Sequence, residues 1–454
     1  MAILNGRTTT DKHPAHDIRP GREVSKGRRR KETTSTRSTS QGTAIEATSC
    51  TTRERTTTPL PPERRALSVS QIRVRIQSRF CDLFFPIGSN GFDQIFAHNG
   101  SSNDQAVTAA CDALCALQVG TATRDRSMLH ESLNLYGRAL RRVRVEIQRG
   151  DDADSITATV YFLLICELFI STSFDSPGWM HHAAGMLSLY NSHESRRSKP
   201  GASSCCFLQW RYMFSLGYGL LAKRSVQYKP PAWRDDRRQR YPLTAIVMRV
   251  PTSLEKLAQL RTDDSAAASA RLADVVDEAM DLRQTMHECI IEWSCTVKDV
   301  PYRTVSLDEY PEFETVLGDL SGLFPAVYRF SDMTAAQLHR SFWTCLLELD
   351  QAIVDVRGMH WDAIACLERH KLDDLEAELP TCAYHLCQSL PWFGSPEVHT
   401  AGPISSLEPL YFLERHFQRH GRASTRLGVD GCVRIWFWGT KWLGYWRMVV
   451  DDAL

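Results

Sequence analysis

Apolar positions recur at helical spacing along most of the chain. Leu129, Leu133, Tyr136, Leu140, Val143 and Ile147 follow one another at alternating intervals of four and three. That spacing lays one apolar stripe along a helix over residues 124–149. Gly150 is placed to stop it, and Asp151, Asp152 and Asp154 offer caps for the next helix. The next helix, over 153–173, is apolar on most sides and belongs at the centre of a core. Pro177 and Gly178 mark a turn. Residues 179–190 then give a short helix with Trp179, His182, Met186 and Tyr190 on one face.

The same periodicity predicts helices near 69–84, 105–119, 204–223, 242–260, 265–297, 332–357, 360–378, 379–390, 405–419 and 430–449. Alternating patterns separated by turn dipeptides are scarce, and no fixed-period repeat occurs. Residues 228–241 and 391–403 read as loops. The predicted class is all-α.

Composition changes this picture at the N-terminus. Residues 1–65 hold 19 Ser and Thr, no aromatic residue, and 14 Lys and Arg against 7 Asp and Glu. Such a segment cannot bury enough apolar surface to offset its ordering entropy. The expectation is a disordered basic arm over 1–65, followed by an all-α body over 66–454. The whole chain has 454 residues, is 43% hydrophobic and carries a net charge of +1. That composition excludes collagen, a wholly disordered chain and a multi-span membrane protein. The body is mildly acidic, so any affinity for polyanions is expected in the arm.

The opening Met1 to Arg7 does not resemble a secretory signal. The 14 cysteines are therefore expected to be reduced and mostly buried. The apolar run from Val160 to Ile170 contains Glu167 and falls short of the roughly 20 residues a membrane span needs. Arg434, Lys441 and Arg447 interrupt the run from Val433 to Val450. No membrane partner is expected.

Catalytic motifs of good specificity are missing. The chain has no glycine-rich phosphate loop or dinucleotide fingerprint, and no Gly-x-Ser-x-Gly elbow. His130-Glu131 lacks the second histidine of a zincin. Cys111 and Cys115 lie at i, i+4 and fit half a metal site, but small thiols filling a core helix explain them better. Asp151, Asp152 and Asp154, with Asp373, Asp374 and Glu376, raise the alternative of a terpene cyclase-type enzyme holding magnesium diphosphate. Helix capping and a solvated face account for both groups more simply. His181-His182 suggests either a proton relay or a satisfied core histidine. The Trp residues of 436–446 fit a small-molecule pocket or, better, a core. No catalytic, cofactor-binding or metal-binding residue is assigned, and the chain is read as a non-enzyme.

The run Lys26, Arg28, Arg29, Arg30 and Lys31 puts five cations within six residues. It suits the acidic groove of a nuclear import receptor, or a phosphate backbone. No aromatic residue interleaves it, so base stacking is not expected.

Several blocks also occur in a particular order. Tyr136 precedes Trp179-x-x-His182-x-x-Gly185. Phe207, Trp210 and Arg211 lead to Pro231-x-Trp233. Cys387-Gln388-Ser389-Leu390-Pro391-Trp392-Phe393 is followed by Gly402-Pro403 and Pro409-Leu410. Over roughly 66–450 the chain resembles the fungal-specific transcription factor domain, the C-terminal regulatory domain of fungal binuclear zinc cluster regulators. The resemblance implies a large all-α domain, a nuclear location and regulation of metabolic genes, including secondary-metabolite clusters. It implies structural roles for Tyr136, Trp179, His182, Gly185, Arg211, Trp233, Pro391 and Pro409. Trp179, His182 and Gly185 would pack a helix pair, the glycine permitting close approach.

One departure is large. The family's DNA-reading module needs two Cys-x2-Cys-x6-Cys halves, and Cys50 is the only cysteine before Cys81. An upstream exon, a co-regulator that binds a zinc-cluster partner or a second copy of itself, and a decaying relative all fit. DNA contact is expected to be weak or indirect. A non-catalytic interaction scaffold is the remaining alternative.

Overall fold

A computed structural model describes residues 73–79, 105–150, 153–170, 177–193, 203–226, 241–262, 266–311, 326–359, 369–399 and 401–420. All of them belong to one compact unit, residues 66–454. The arm, with Lys26, Arg28, Arg29, Arg30 and Lys31, lies outside the described residues. So do Trp233 and the predicted helix at 430–449.

The fold is all-α. After a short helical segment at 73–79, its main helices are α1 Gln105–Thr123, α2 Arg126–Arg149, α3 Ala153–Ile170, α4 Pro177–His193, α5 Ser203–Ala222, α6 Tyr241–Val247 and α7 Val250–Thr262. They continue with α8 Ala266–Thr296, α9 Met333–Met359, α10 Arg369–Phe393 and α11 Ala401–His420. Helices α1 to α4 pack as one group, with α1 against α2 and α3, and α3 against α4. Helices α6 to α11 form a second group around α9, and α5 joins the two by touching α4 and α7.

Helix α1 is buried on nearly every side. Ala106, Ala109, Ala110 and Ala113 are among its buried residues. Their small side chains let both neighbours come close. Among the described residues it is the one helix long and apolar enough to cross a membrane by length and composition, and 78% of that window is buried in this fold. Cys111 and Cys115 are buried on it as thiols.

Helix α2 is bounded as its sequence demands. Asp125 accepts hydrogen bonds from the amides of Ser127 and Met128, and Gly150 closes the helix at φ 71°. Its buried stripe differs from the predicted one. Leu129, Ser132, Ala139 and Val143 are buried, while Leu140 and Ile147 are exposed. Close approach to α1 selects the small residues: Ser132 Oγ donates to the Ala113 carbonyl at 2.9 Å.

Three further differences concern boundaries. Residues 242–260 form two helices rather than one, because Pro251 restrains Val250 and supplies no amide for a continuous ladder. The break predicted near residue 379 is absent, and α10 runs through Pro380. The loop predicted over 391–403 is much shorter, because α10 extends to Phe393 and α11 begins at Ala401.

A two-stranded antiparallel sheet was not predicted. Strand β1, Tyr302–Val305, pairs with β2, Val327–Phe330, with Tyr302 opposite Phe330 and Val305 opposite Val327. Strand β2 packs on α10.

Candidate functional site

Three helices meet at Tyr136, Glu167 and His182. Tyr136 is half-buried on α2, Glu167 interrupts the apolar α3, and His182 follows Trp179 on α4. The Tyr136 hydroxyl donates to Glu167 Oε1 and lies 3.0 Å from His182 Nε2. A phenol has one proton, and the carboxylate takes it. The phenol oxygen must then accept from His182, which assigns the Nε2–H tautomer. Burial holds the His182 imidazole below its usual range, with Glu167 opposing, so the ring is neutral at pH 7. Burial, with the Glu167 carboxylate beside it, pushes the Tyr136 phenol far up.

The phenol therefore keeps its proton near neutrality, and the imidazole stays neutral. The neighbouring Cys166 thiol is fully buried and raised well above the ordinary range, chiefly by desolvation, so it is no nucleophile. The arrangement is a polar tie between α2, α3 and α4. Trp179 lies one turn before His182 on α4. Its side chain is fully buried, worth about 2 kcal/mol or more, and its ring lies 6.4 Å from Phe214 of α5.

A second cluster joins the sheet to α9 and α10. Tyr328, Trp343 and His385 stack on one another, with Trp343 and His385 centroids 5.2 Å apart. The Tyr328 hydroxyl is 2.6 Å from His385 Nδ1. Phe330 meets Trp392 and Phe393 at the end of α10. His339 donates through Nδ1 to the Ala335 carbonyl at 3.0 Å, and burial lowers it to about 4.

Helix α9 also carries buried ion pairs. Arg340 lies 3.0 Å from Glu408 of α11, with both side chains almost wholly buried. Arg283 of α8 bonds Asp350 at 3.1 Å and also meets Glu378 of α10. Desolvation raises Asp350 to about 7 despite Arg283. Among the described residues, no group of three or more His, Cys, Asp and Glu is arranged to hold a metal ion.

The residues singled out by sequence fall into three sets. Tyr136 and His182 are brought together, and Trp179 is buried one turn before His182 on α4. Pro391 and Pro409 are buried within α10 and α11. Arg211 lies on α5, with its side chain outside the described residues. Gly185 does not have the expected role. A Cβ there would meet nothing within 4 Å, and the close approach belongs to Gly178, whose added Cβ would overlap Glu167. Glu167 itself was missed. The available signal was a single carboxylate in an otherwise apolar helix, which needs a partner.

Comparisons with protein-family models, with curated proteins and with solved structures found no match to this chain.

Proposed function

We propose that this chain is a nuclear regulator or co-regulator of transcription of metabolic genes. It acts through its helical body, with no zinc cluster within these residues. The observation that carries the reading is the hydrogen bond between Tyr136 and His182, made across 46 residues of sequence. Two blocks chosen for their order alone form one tie between helices, as a structural motif requires. Its polar groups are spent on one another rather than held for a substrate, which suits a regulatory body better than an enzyme. Secondary-metabolite clusters are the target class the resemblance favours. The basic run Lys26 to Lys31 serves nuclear import, and sequence-specific DNA contact comes from a zinc-cluster partner or a second copy.

The test has two parts. A fluorescently tagged full chain in a fungal cell is expected in the nucleus, and in the cytosol after Arg28, Arg29 and Arg30 are changed to Ala. Residues 66–454 tethered to an unrelated DNA-binding domain are expected to change reporter transcription at least severalfold. A cytosolic wild-type chain with a silent tether replaces this reading with an interaction scaffold. Magnesium-dependent turnover of a prenyl diphosphate by the purified chain replaces it with the enzyme.

A further inference from the structure

A second polar cluster lies where the ends of α5, α7 and α11 converge on α9. Asp355 of α9 is 2.9 Å from Arg261 of α7 and 3.6 Å from Arg419 of α11. Gln351 donates to the other Asp355 oxygen at 2.9 Å, and His420 Nε2 lies 2.6 Å from Gln351 Oε1. One turn back, Glu348 is 3.6 Å from Arg415. Lys223, just past the end of α5, lies within electrostatic reach of them. The charges acting on its ammonium are those of Glu348, Arg415, Arg419 and Arg261. Among the described residues Lys223 makes no ion pair or hydrogen bond of its own. Burial, the largest influence on it, holds its ammonium below the ordinary range.

Four cations thus face Asp355 and Glu348, while the nearby Glu255 carboxylate is bonded to the Ser225 amide; the set carries a net positive charge. The excess is recessed rather than spread over a surface: the Arg261, Arg415 and Arg419 side chains are 31%, 22% and 32% exposed. Removing like charges from water without a counter-charge is costly. His416 beside them stays neutral, lowered by burial to about 4.

The position of Lys223 is itself built. Its φ is +47°, the left-handed region where a helix end ordinarily places glycine. The Arg224 amide reaches back to the Gly219 carbonyl at 3.2 Å. The Ser225 amide donates to Glu255 Oε2 at 2.8 Å, and the Ser225 hydroxyl lies 2.9 Å from that of Thr252. Val226 is buried behind them. The turn would form more easily with glycine, yet it holds a lysine within electrostatic reach of three arginines.

We infer that Lys223, Arg261, Arg415 and Arg419 form a binding site for a small anion bearing phosphoryl groups. Arginine forks match phosphoryl oxygens in pairs, and the lysine supplies a point charge. Asp355 and Glu348 hold the guanidinium groups in place. A phosphoryl anion balances the excess, and the partial burial of the three arginines favours a small ligand over a polymer backbone. The site stands on its own geometry and does not depend on the regulatory reading.

The test uses the purified full chain and pyrophosphate at constant ionic strength near physiological salt, followed by titration calorimetry and thermal unfolding. Saturable binding is expected, with a Tm that rises with pyrophosphate. Lys223→Gly is the decisive variant. Without ligand its Tm should equal or exceed that of the parent, because glycine relieves the left-handed strain. Its affinity should fall about tenfold, as for loss of one charge-assisted contact. Arg419→Gln should weaken binding comparably. The inference fails if the parent chain shows no saturable binding, or if Lys223→Gly binds as the parent does. It also fails if random-sequence duplex DNA occupies the same residues more tightly than pyrophosphate. None of these failures would move the reporter assay, so the two readings fall separately.

Discussion

Glu167 lies so close to Gly178 that no methyl group fits between them. A Cβ on Gly178 would overlap the carboxylate and come within 2.8 Å of its Cδ. The same carboxylate accepts the Tyr136 hydroxyl, so it cannot swing away without giving up that bond. Gly178→Ala is expected to destabilise the fold by about 1–3 kcal/mol, as overpacking does. Gly185→Ala on the same helix meets open space and should stabilise it by about 0.5–1 kcal/mol. Urea midpoints of the two variants, read side by side, check both signs.

Removing the Tyr136 hydroxyl strips two neighbours at once. Tyr136→Phe is expected to cost about 1–3 kcal/mol, because a half-buried carboxylate loses its donor. His182→Ala should cost less in the Phe background than in the parent, since the bond it loses is already gone. A double-mutant cycle by chemical denaturation measures the difference. Strict additivity would mean that the two side chains do not act together.

The pH dependence has opposing parts. His339 and His416 are lowered from 6.5 to about 4 by burial. The unfolded chain takes up those protons first. Their stabilisation is complete above pH 6.5 and is lost as pH falls towards 4. Asp350 runs the other way. Burial raises it from 3.8 to about 7, so the folded chain binds its proton first and stability from this group falls as pH rises through that window. His339 and His416 therefore draw stability down in acid, and Asp350 opposes them. His339→Phe should flatten the slope of unfolding free energy between pH 4 and 6.5, and Asp350→Asn should steepen it.

Arg340 and Glu408 illustrate a pair that is costly to break and less costly to replace. Arg340→Ala leaves Glu408 buried and uncompensated, at an expected cost of about 3–5 kcal/mol. The joint change Arg340→Met with Glu408→Leu should recover most of it. Thermal unfolding of the three chains decides the matter: equal loss in the single and double variants would show that packing, not charge, sets the cost.

The helices were legible because burial writes the 3.6-residue period into the sequence, and it did so even where local rules mislead. Pro380 argues for a break, yet Leu375, Leu379, Cys382 and Leu386 continue one buried face across it, and tertiary packing prevails over the proline. The α2 stripe was misplaced because the contact with α1 selects by size, burying Ser132 and Ala139 in preference to Leu140. The sheet escaped notice because each strand has four residues and its partner is distant in sequence. At the site, Tyr136 and His182 could be chosen by motif. Glu167 could not, since one residue in an apolar run says that a partner exists without saying which. Lys223 was invisible for a different reason: its left-handed turn depends on Ser225 meeting α7, a contact no local pattern encodes.

Helix α9 binds its neighbours through charges at different heights along its axis. Arg340 engages Glu408 on α11, Glu348 engages Arg415 on α11, Asp350 engages Arg283 on α8, and Asp355 engages Arg261 on α7. Each pair can close in one alignment only. A purely greasy rod could creep along its neighbours by a fraction of a turn, but this one is keyed like a shaft in a lock. Any push on one end of α9 must either be absorbed locally or move three helices together. The second half of the fold is thereby geared to respond as a unit.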